Sequence, residues 1–224
     1  MLSELLQRAD LWRGRKTAPC SQRPAVPTGY AALDCCLPDG GWPNGALTEI
    51  LYPRAGVGEL QPTLPALRQL TSRWMAWIDP PYTPYAPALS HHGLNVEQLF
   101  WIRTQSEKES LWALEQALRS GSCGAVLGWL TRCNDRALRR LQLAAEYGEA
   151  LAFLFRPLAV AQTPSPAALR LSVQRHDSAL TVTILKSRGR WATNTIHLSS
   201  DTLQHPNSYS AADRGESTDE ATSH

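Results

Sequence analysis

Lysine is scarce in this chain. Of its 22 basic residues, only Lys16, Lys108 and Lys186 are lysines; the rest are arginines, which suit planar, bidentate contact with phosphate or carboxylate. Cysteine is sparse and poorly spaced. The five cysteines (Cys20, Cys35, Cys36, Cys123 and Cys133) include no C-x-x-C pair, so no cysteine metal cluster is expected, and their odd number excludes a complete set of intrachain disulfides. Long apolar runs are missing as well. None approaches the ~18 residues that a membrane-spanning helix needs. The N-terminal segment carries Glu4, Arg8 and Asp10 among its leucines and lacks the uninterrupted apolar stretch of a secretory signal. A cytoplasmic protein with no membrane partner is expected. His91 and His92 are adjacent and have no further ligands at metal spacing, so they read as a loop feature and no metal site is expected.

Against these absences stand 224 residues, 43% of them hydrophobic, enough for one domain with extensions. The net charge of +2 conceals an asymmetry. From Ser199 onward there are five acids (Asp201, Asp213, Glu216, Asp219, Glu220) and one base, Arg214. That leaves 21 bases and 15 acids in the rest of the chain (22 less 1, and 20 less 5). A mildly basic, arginine-dominated body with an acidic tail is compatible with nucleic acid without demanding it.

The patterning divides the chain in three. Residues 1–27 hold an N-terminal helix and a Pro-rich linker, with Leu2, Leu5, Leu6, Ala9 and Trp12 on one apolar stripe. Residues 28–198 form the core, and 199–224 are too polar to offset the entropy of ordering. In the core, candidate strands at 46–51, 73–78, 98–103, 123–129 and 150–155 alternate with helices at 107–119 and 135–147. Ser106 and Glu109 form a capping box, Glu115 and Arg119 pair at i,i+4, and Gly121 stops the first helix. Asn134 caps the second and Gly148 ends it. Such alternation predicts an α/β fold: a mostly parallel sheet flanked by helices. Leu169, Leu171 and Val173 alternate with Arg170, Ser172 and Gln174, and Leu180, Val182 and Ile184 with Thr181, Thr183 and Leu185, across the turn His176–Ser178. That is a C-terminal antiparallel hairpin added to the sheet edge. Trp74, Trp77, Trp101 and Trp129 fall on strands and are expected in the core, whereas Trp12 and Trp42 fall outside them.

One motif points to chemistry and then fails to deliver it. The strand Ala46–Leu51 runs into Tyr52, Gly56, Gly58 and Glu59, the outline of a phosphate-binding loop. A working loop has a Lys and a hydroxyl after its glycines, to neutralise phosphate and to ligate magnesium. Here Glu59 and Leu60 follow, and a carboxylate at that place repels a triphosphate. Phosphoryl transfer needs such electrostatic clamps, so no ATP hydrolysis, no cofactor and no catalytic residue is expected.

Thr28-Gly29, Leu33-Asp34, Gly40–Gly45 and Glu49-Ile50, followed by Arg73–Asp79, Gly93–Ile102 and Cys123–Trp129, resemble the RecA recombinase core in content and order. Leu11–Arg15, Gly56–Leu60, Pro84–Pro87, Glu115–Ser120 and Arg139–Ala145 resemble the ImuA group of RecA-like proteins within it. That resemblance implies that Asp79-Pro80-Pro81 and Gly128-Trp129 stand where the family has a catalytic Glu and a magnesium-linked Asp. It implies a RecA-like core and a non-catalytic accessory role in damage-induced translesion DNA synthesis. The implied partners are a Y-family polymerase-like mutasome subunit and, indirectly, an error-prone C-family polymerase, with RecA and single-stranded DNA as further candidates. The alternative is a SulA-type cell-division inhibitor of the SOS response, which shares a reduced RecA-like core and binds the tubulin-like division protein.

Three features are candidates for contact. Arg136, Arg139 and Arg140 share a helix face near Arg132, and Arg156 follows the next strand; these read either as phosphate-directed DNA contacts or as a solvated face. Lys186, Arg188 and Arg190, beside Trp191, read either as a single-strand contact or as a basic loop. The stripe Leu2, Leu5, Leu6 and Trp12 reads either as a surface for a partner or a second copy, or as a helix folded back on its own domain.

Overall fold

The segment Ala46–Tyr52 forms β1, buried along its length except at Tyr52. Such a near-continuous apolar strand belongs in the middle of a sheet covered on both faces. In this computed structural model, which describes residues 25–176, 179–187 and 194–198, β1 lies between β5 (Leu151–Pro157) and β6 (Leu169–His176), parallel to both. Beyond β5 come β4 (Cys123–Trp129), β2 (Trp74–Ile78) and the edge strand β3 (Leu99–Ile102), all parallel. Beyond β6 come β7 (Ala179–Ser187) and β8 (Asn194–Leu198), both antiparallel to their neighbours. The sheet thus has eight strands in the order β3-β2-β4-β5-β1-β6-β7-β8. The α/β class and the hairpin match the pattern read from the sequence. The last strand does not, because Asn194–Leu198 has only Ile196 and Leu198 facing inward.

Helices cover both faces. On one side lie α1 (Ala31–Asp34), α2 (Leu64–Arg68) and α3 (Ala86–His91), with Tyr30, Leu33, Trp42, Leu64 and Leu67 packed on Trp77, Phe153 and Phe155. On the other lie α4 (Glu107–Arg119) and α5 (Asp135–Gly148), whose Leu114, Leu118, Leu138, Leu141 and Ala145 meet Ala76, Ile78, Val126 and Leu154. Burying a large aliphatic side chain contributes ~1.5–3 kcal/mol, so these two layers dominate the stability of the core.

The helix ends obey their caps. Ser106 Oγ accepts the Glu109 amide at 3.3 Å, while the Glu109 carboxylate reaches back to the Gln105 amide at 2.9 Å. Asn134 Oδ1 accepts the Ala137 amide at 2.9 Å. Gly148 ends α5 as its last helical residue, and Glu149 takes the left-handed turn at φ 51°. A Cβ on Gly148 would stand 1.8 Å from the Leu118 carbonyl oxygen, so close crossing of α4 and α5 demands the glycine. Arg73 locks the same corner by donating to the carbonyls of Gly121 and Cys123 at 2.9 Å each and of Gly148 at 3.3 Å.

Two tryptophans expected in the core are not there. Trp74 is 38% and Trp101 42% exposed, because β3 is an edge strand and β2 begins at the sheet's rim. Trp74 instead stacks on Phe100 at 4.4 Å. Trp77 and Trp129 are buried as expected, and Trp42, outside every strand, is fully buried against Phe153. The two histidines close α3 and its cap rather than lying in a loop.

Candidate functional site

The carboxyl end of β1 opens into the loop Pro53–Leu60, turned by Gly56 (φ +83°) and Gly58 (φ +96°). Glu59 is buried here, and its two carboxylate oxygens accept the Gly56 amide at 3.2 and 3.1 Å. The loop's own chain therefore supplies an anion to its backbone. Arg175, from β6, fastens the loop by donating Nε to the Val57 carbonyl at 3.1 Å and a terminal nitrogen to Gln61 Oε1 at 3.0 Å. Tyr52 packs beside it, its hydroxyl pKa pushed up by burial and then by the Glu59 charge.

At the end of β2, Asp79 adopts φ +51° and collects donors from the start of α4. It accepts the Thr104 amide at 2.7 Å, the Thr104 hydroxyl at 2.6 Å and the Ser110 hydroxyl at 2.5 Å. Burial disfavours its charge, but the Ser110 and Thr104 donors and the Arg103 guanidinium outweigh burial and hold the carboxyl below its ordinary pKa. Its acceptor capacity is spent on joining β2 to α4. At the end of β4, a Cβ on Gly128 would lie 2.4 Å from a methyl of Leu114. The glycine lets α4 seat on the sheet, and a carboxylate there has no room.

Deeper in the molecule, Glu49 of β1 is wholly buried between two arginines. Arg156 Nη1 lies 2.7 Å from Glu49 Oε1, and Arg170 Nε lies 2.7 Å from Glu49 Oε2. The Arg170 contact is an ion pair without hydrogen-bond alignment, so its attraction is Coulombic. Arg170 also donates to the carbonyls of Val160, Ala161 and Thr163 at 3.0, 3.3 and 2.9 Å, and Arg156 to that of Cys133 at 3.2 Å. This corrects the DNA-contact reading of Arg156, which is a buried structural cation. The pairing of Glu49 with Arg156 and Arg170 is not visible in the sequence, where charges on central strands are the available signal. Cys133, beside Arg156, has its thiol pushed up to about 11 by burial, which keeps it protonated and unreactive near neutrality.

The other arginines lie on the surface. Arg132, Arg136, Arg139 and Arg140 are exposed at and along α5, and Arg140 pairs with Glu115 of α4, which also meets Arg119 at 3.7 Å. The outer face of this helix pair bears exposed Trp112, Leu143 and Tyr147 too. Lys186 on β7 donates to the Ser165 carbonyl at 2.5 Å. Arg188, Arg190, Leu2, Leu5, Leu6 and Trp12 lie outside the described residues. Among the described residues, no group of three or more His, Cys, Asp or Glu side chains is placed to hold a metal ion.

Comparison with known proteins points to one family. Residues 45–152 match the family model described as "Cell division inhibitor SulA". The chain is 34% identical over 121 residues to a cell division inhibitor SulA of Serratia marcescens, covering 53% of this chain and 72% of that protein. It is 38% identical over 133 residues to one from Edwardsiella piscicida, covering 54% and 79%. Among solved structures, SulA from Pseudomonas aeruginosa is 28% identical, covering 49% of this chain and 97% of that one, with a TM-score of 0.42.

These findings overturn the ImuA-type reading. The stretches Gly56–Leu60, Pro84–Pro87, Glu115–Ser120 and Arg139–Ala145 all lie inside the matched span. Short elements of this kind do not by themselves identify a family or its function. The role in translesion synthesis falls with that reading. So do its partners: the Y-family polymerase-like subunit, the C-family polymerase, RecA and single-stranded DNA.

Proposed function

We propose that this chain, which belongs to the SulA family, is a non-catalytic inhibitor of cell division that acts in the SOS response by binding the tubulin-like division protein. The observation that carries the reading is the family match itself. It runs from β1 through α5 to the first two residues of β5, and so takes in β1 to β4 and the helical layer of α4 and α5.

The chemistry of the loop supports a binding role over a catalytic one. We read the sheet as a RecA-like core stripped of its phosphate machinery. No Lys or hydroxyl follows Gly58, and an incoming phosphate would meet the Glu59 carboxylate already on the Gly56 amide. Asp79 is committed to Thr104 and Ser110, and Gly128 leaves no space for a magnesium-binding carboxylate. Among the described residues no helix is long and apolar enough to cross a membrane. We assign the docking function to the core, residues 28–198, with 1–27 and 199–224 as extensions, and its place of action to the cytoplasm.

The test is assembly of the purified division protein, followed by light scattering, with increasing amounts of this chain. Dose-dependent loss of polymer is expected. Unchanged assembly at several-fold molar excess, together with no measurable binding, sinks the reading.

A further inference from the structure

Open α/β sheets bind their ligands in the crevice outside the carboxyl ends of the strands. Here that end of the sheet holds a cleft of about 630 Å³. Arg54, Gly56, Tyr82, Gln174 and Arg175 line it. Arg54 and Arg175 are exposed, and Arg175 is held in place by the Val57 carbonyl and Gln61. The carboxylate nearest the loop turn, Glu59, is buried and turned inward to Gly56. The accessible lining therefore presents two cations and no anion. Tyr82, 66% exposed, stands at its mouth, and Tyr85, 70% exposed, follows on the same loop after β2. Exposed tyrosines beside arginines are the residue types that dominate binding energy at protein interfaces.

We propose that this cleft is the docking point for an acidic segment of the partner, with a carboxylate seated between Arg54 and Arg175 and an adjoining apolar side chain against Tyr82. The inference rests on the division-inhibitor reading above and names the surface that serves it. Charge complementarity selects the occupant: a basic cleft steers an acidic segment and rejects a basic one. The Gly56 amide donates to Glu59 and so holds that carboxylate away from the two arginines. Arg175 is preordered by its two contacts, which lowers the entropy cost of the pairing.

The test uses the full chain and the purified division protein, with affinity measured by interferometry at low and high salt. Arg54→Glu and Tyr82→Ala touch exposed side chains only, and thermal melts matching the parent confirm their folding. Each is expected to weaken binding tenfold or more, and Arg54→Glu to flatten the salt dependence. Arg136→Glu with Arg139→Glu, on the opposite helical layer, is expected to bind within twofold of the parent. If the parent binds but Arg54→Glu and Tyr82→Ala bind within twofold of it, the cleft is not the docking point, while the family reading stands. Loss of binding in the Arg136/Arg139 variant instead moves the interface to the outer face of α4 and α5. A parent chain that does not bind overturns the reading and this inference together.

Discussion

Arg156 and Arg139 are the same side chain in opposite environments. Arg156, with Arg170, is buried against Glu49 in the middle of the sheet, whereas Arg139, with Arg132 and Arg136, projects into solvent from α5. The buried group sets two guanidiniums on one carboxylate and turns their terminal nitrogens to the carbonyls of Cys133, Val160, Ala161 and Thr163 as well. It ties β1, β5 and β6 to the segment that follows β5. The exposed group has water for a partner, so each member costs little to remove. A charge's weight in the fold is decided by what its removal leaves behind.

The comparison is broken hardest at Glu49. Glu49→Gln leaves two buried guanidiniums without their counter-charge, and breaking a buried ion pair in this way costs about 3–5 kcal/mol. Denaturant titration is expected to show that loss. Replacing Glu49, Arg156 and Arg170 together by methionine is expected to recover most of it, since no unpaired charge then remains. If Glu49→Gln unfolds at the parent's midpoint, the three charges are not coupled as the distances imply.

Asp79 lies between the two extremes, partly buried yet near the surface. Asp79→Asn keeps a residue that tolerates the left-handed backbone but loses the charge-assisted bonds from Ser110 and Thr104, at about 1–2 kcal/mol. The sign with pH follows from its lowered pKa. The native state binds the proton less tightly than the unfolded chain, so the contribution is complete above the ordinary carboxylate range and disappears as pH falls through the native value. Melting temperatures from neutral to strongly acid pH are expected to drop less steeply in Asp79→Asn than in the parent. Parallel curves would contradict the assignment.

The smallest effect is expected on the helix face. Arg132→Ala, Arg136→Ala and Arg139→Ala remove exposed cations, and substitutions of that kind stay within about 0.5 kcal/mol. Adding Arg140→Ala breaks its surface pair with Glu115, worth about 0–1 kcal/mol. A loss of several kcal/mol on denaturation of the fourfold variant would mean that this face is packed, and the contrast with Glu49 would collapse.

Local chemistry was legible in the chain. The caps at Ser106 and Asn134, the Glu115–Arg119 pair, the hairpin alternation and the glycine turn before Glu59 all depend on neighbours a few residues away, and the structure has each of them. The loop's missing lysine needed no coordinates either. Family membership was in the sequence too, spread over 45–152, but a few short stretches could not resolve it. The tertiary structure alone decided which strands lie at the edge, and so exposed Trp74 and Trp101 and buried Trp42. It alone brought Glu49 against Arg156 and Arg170, turned Glu59 onto Gly56 and made Gly148 a contact with α4. The physical reason is burial. Side-chain periodicity says which residues share a face of a strand or helix, but the value of a charge, a glycine or a tryptophan depends on what is packed against that face. Here those neighbours arrive from distant parts of the chain, in the pairing of β1 with β5 and β6 and the crossing of α4 with α5.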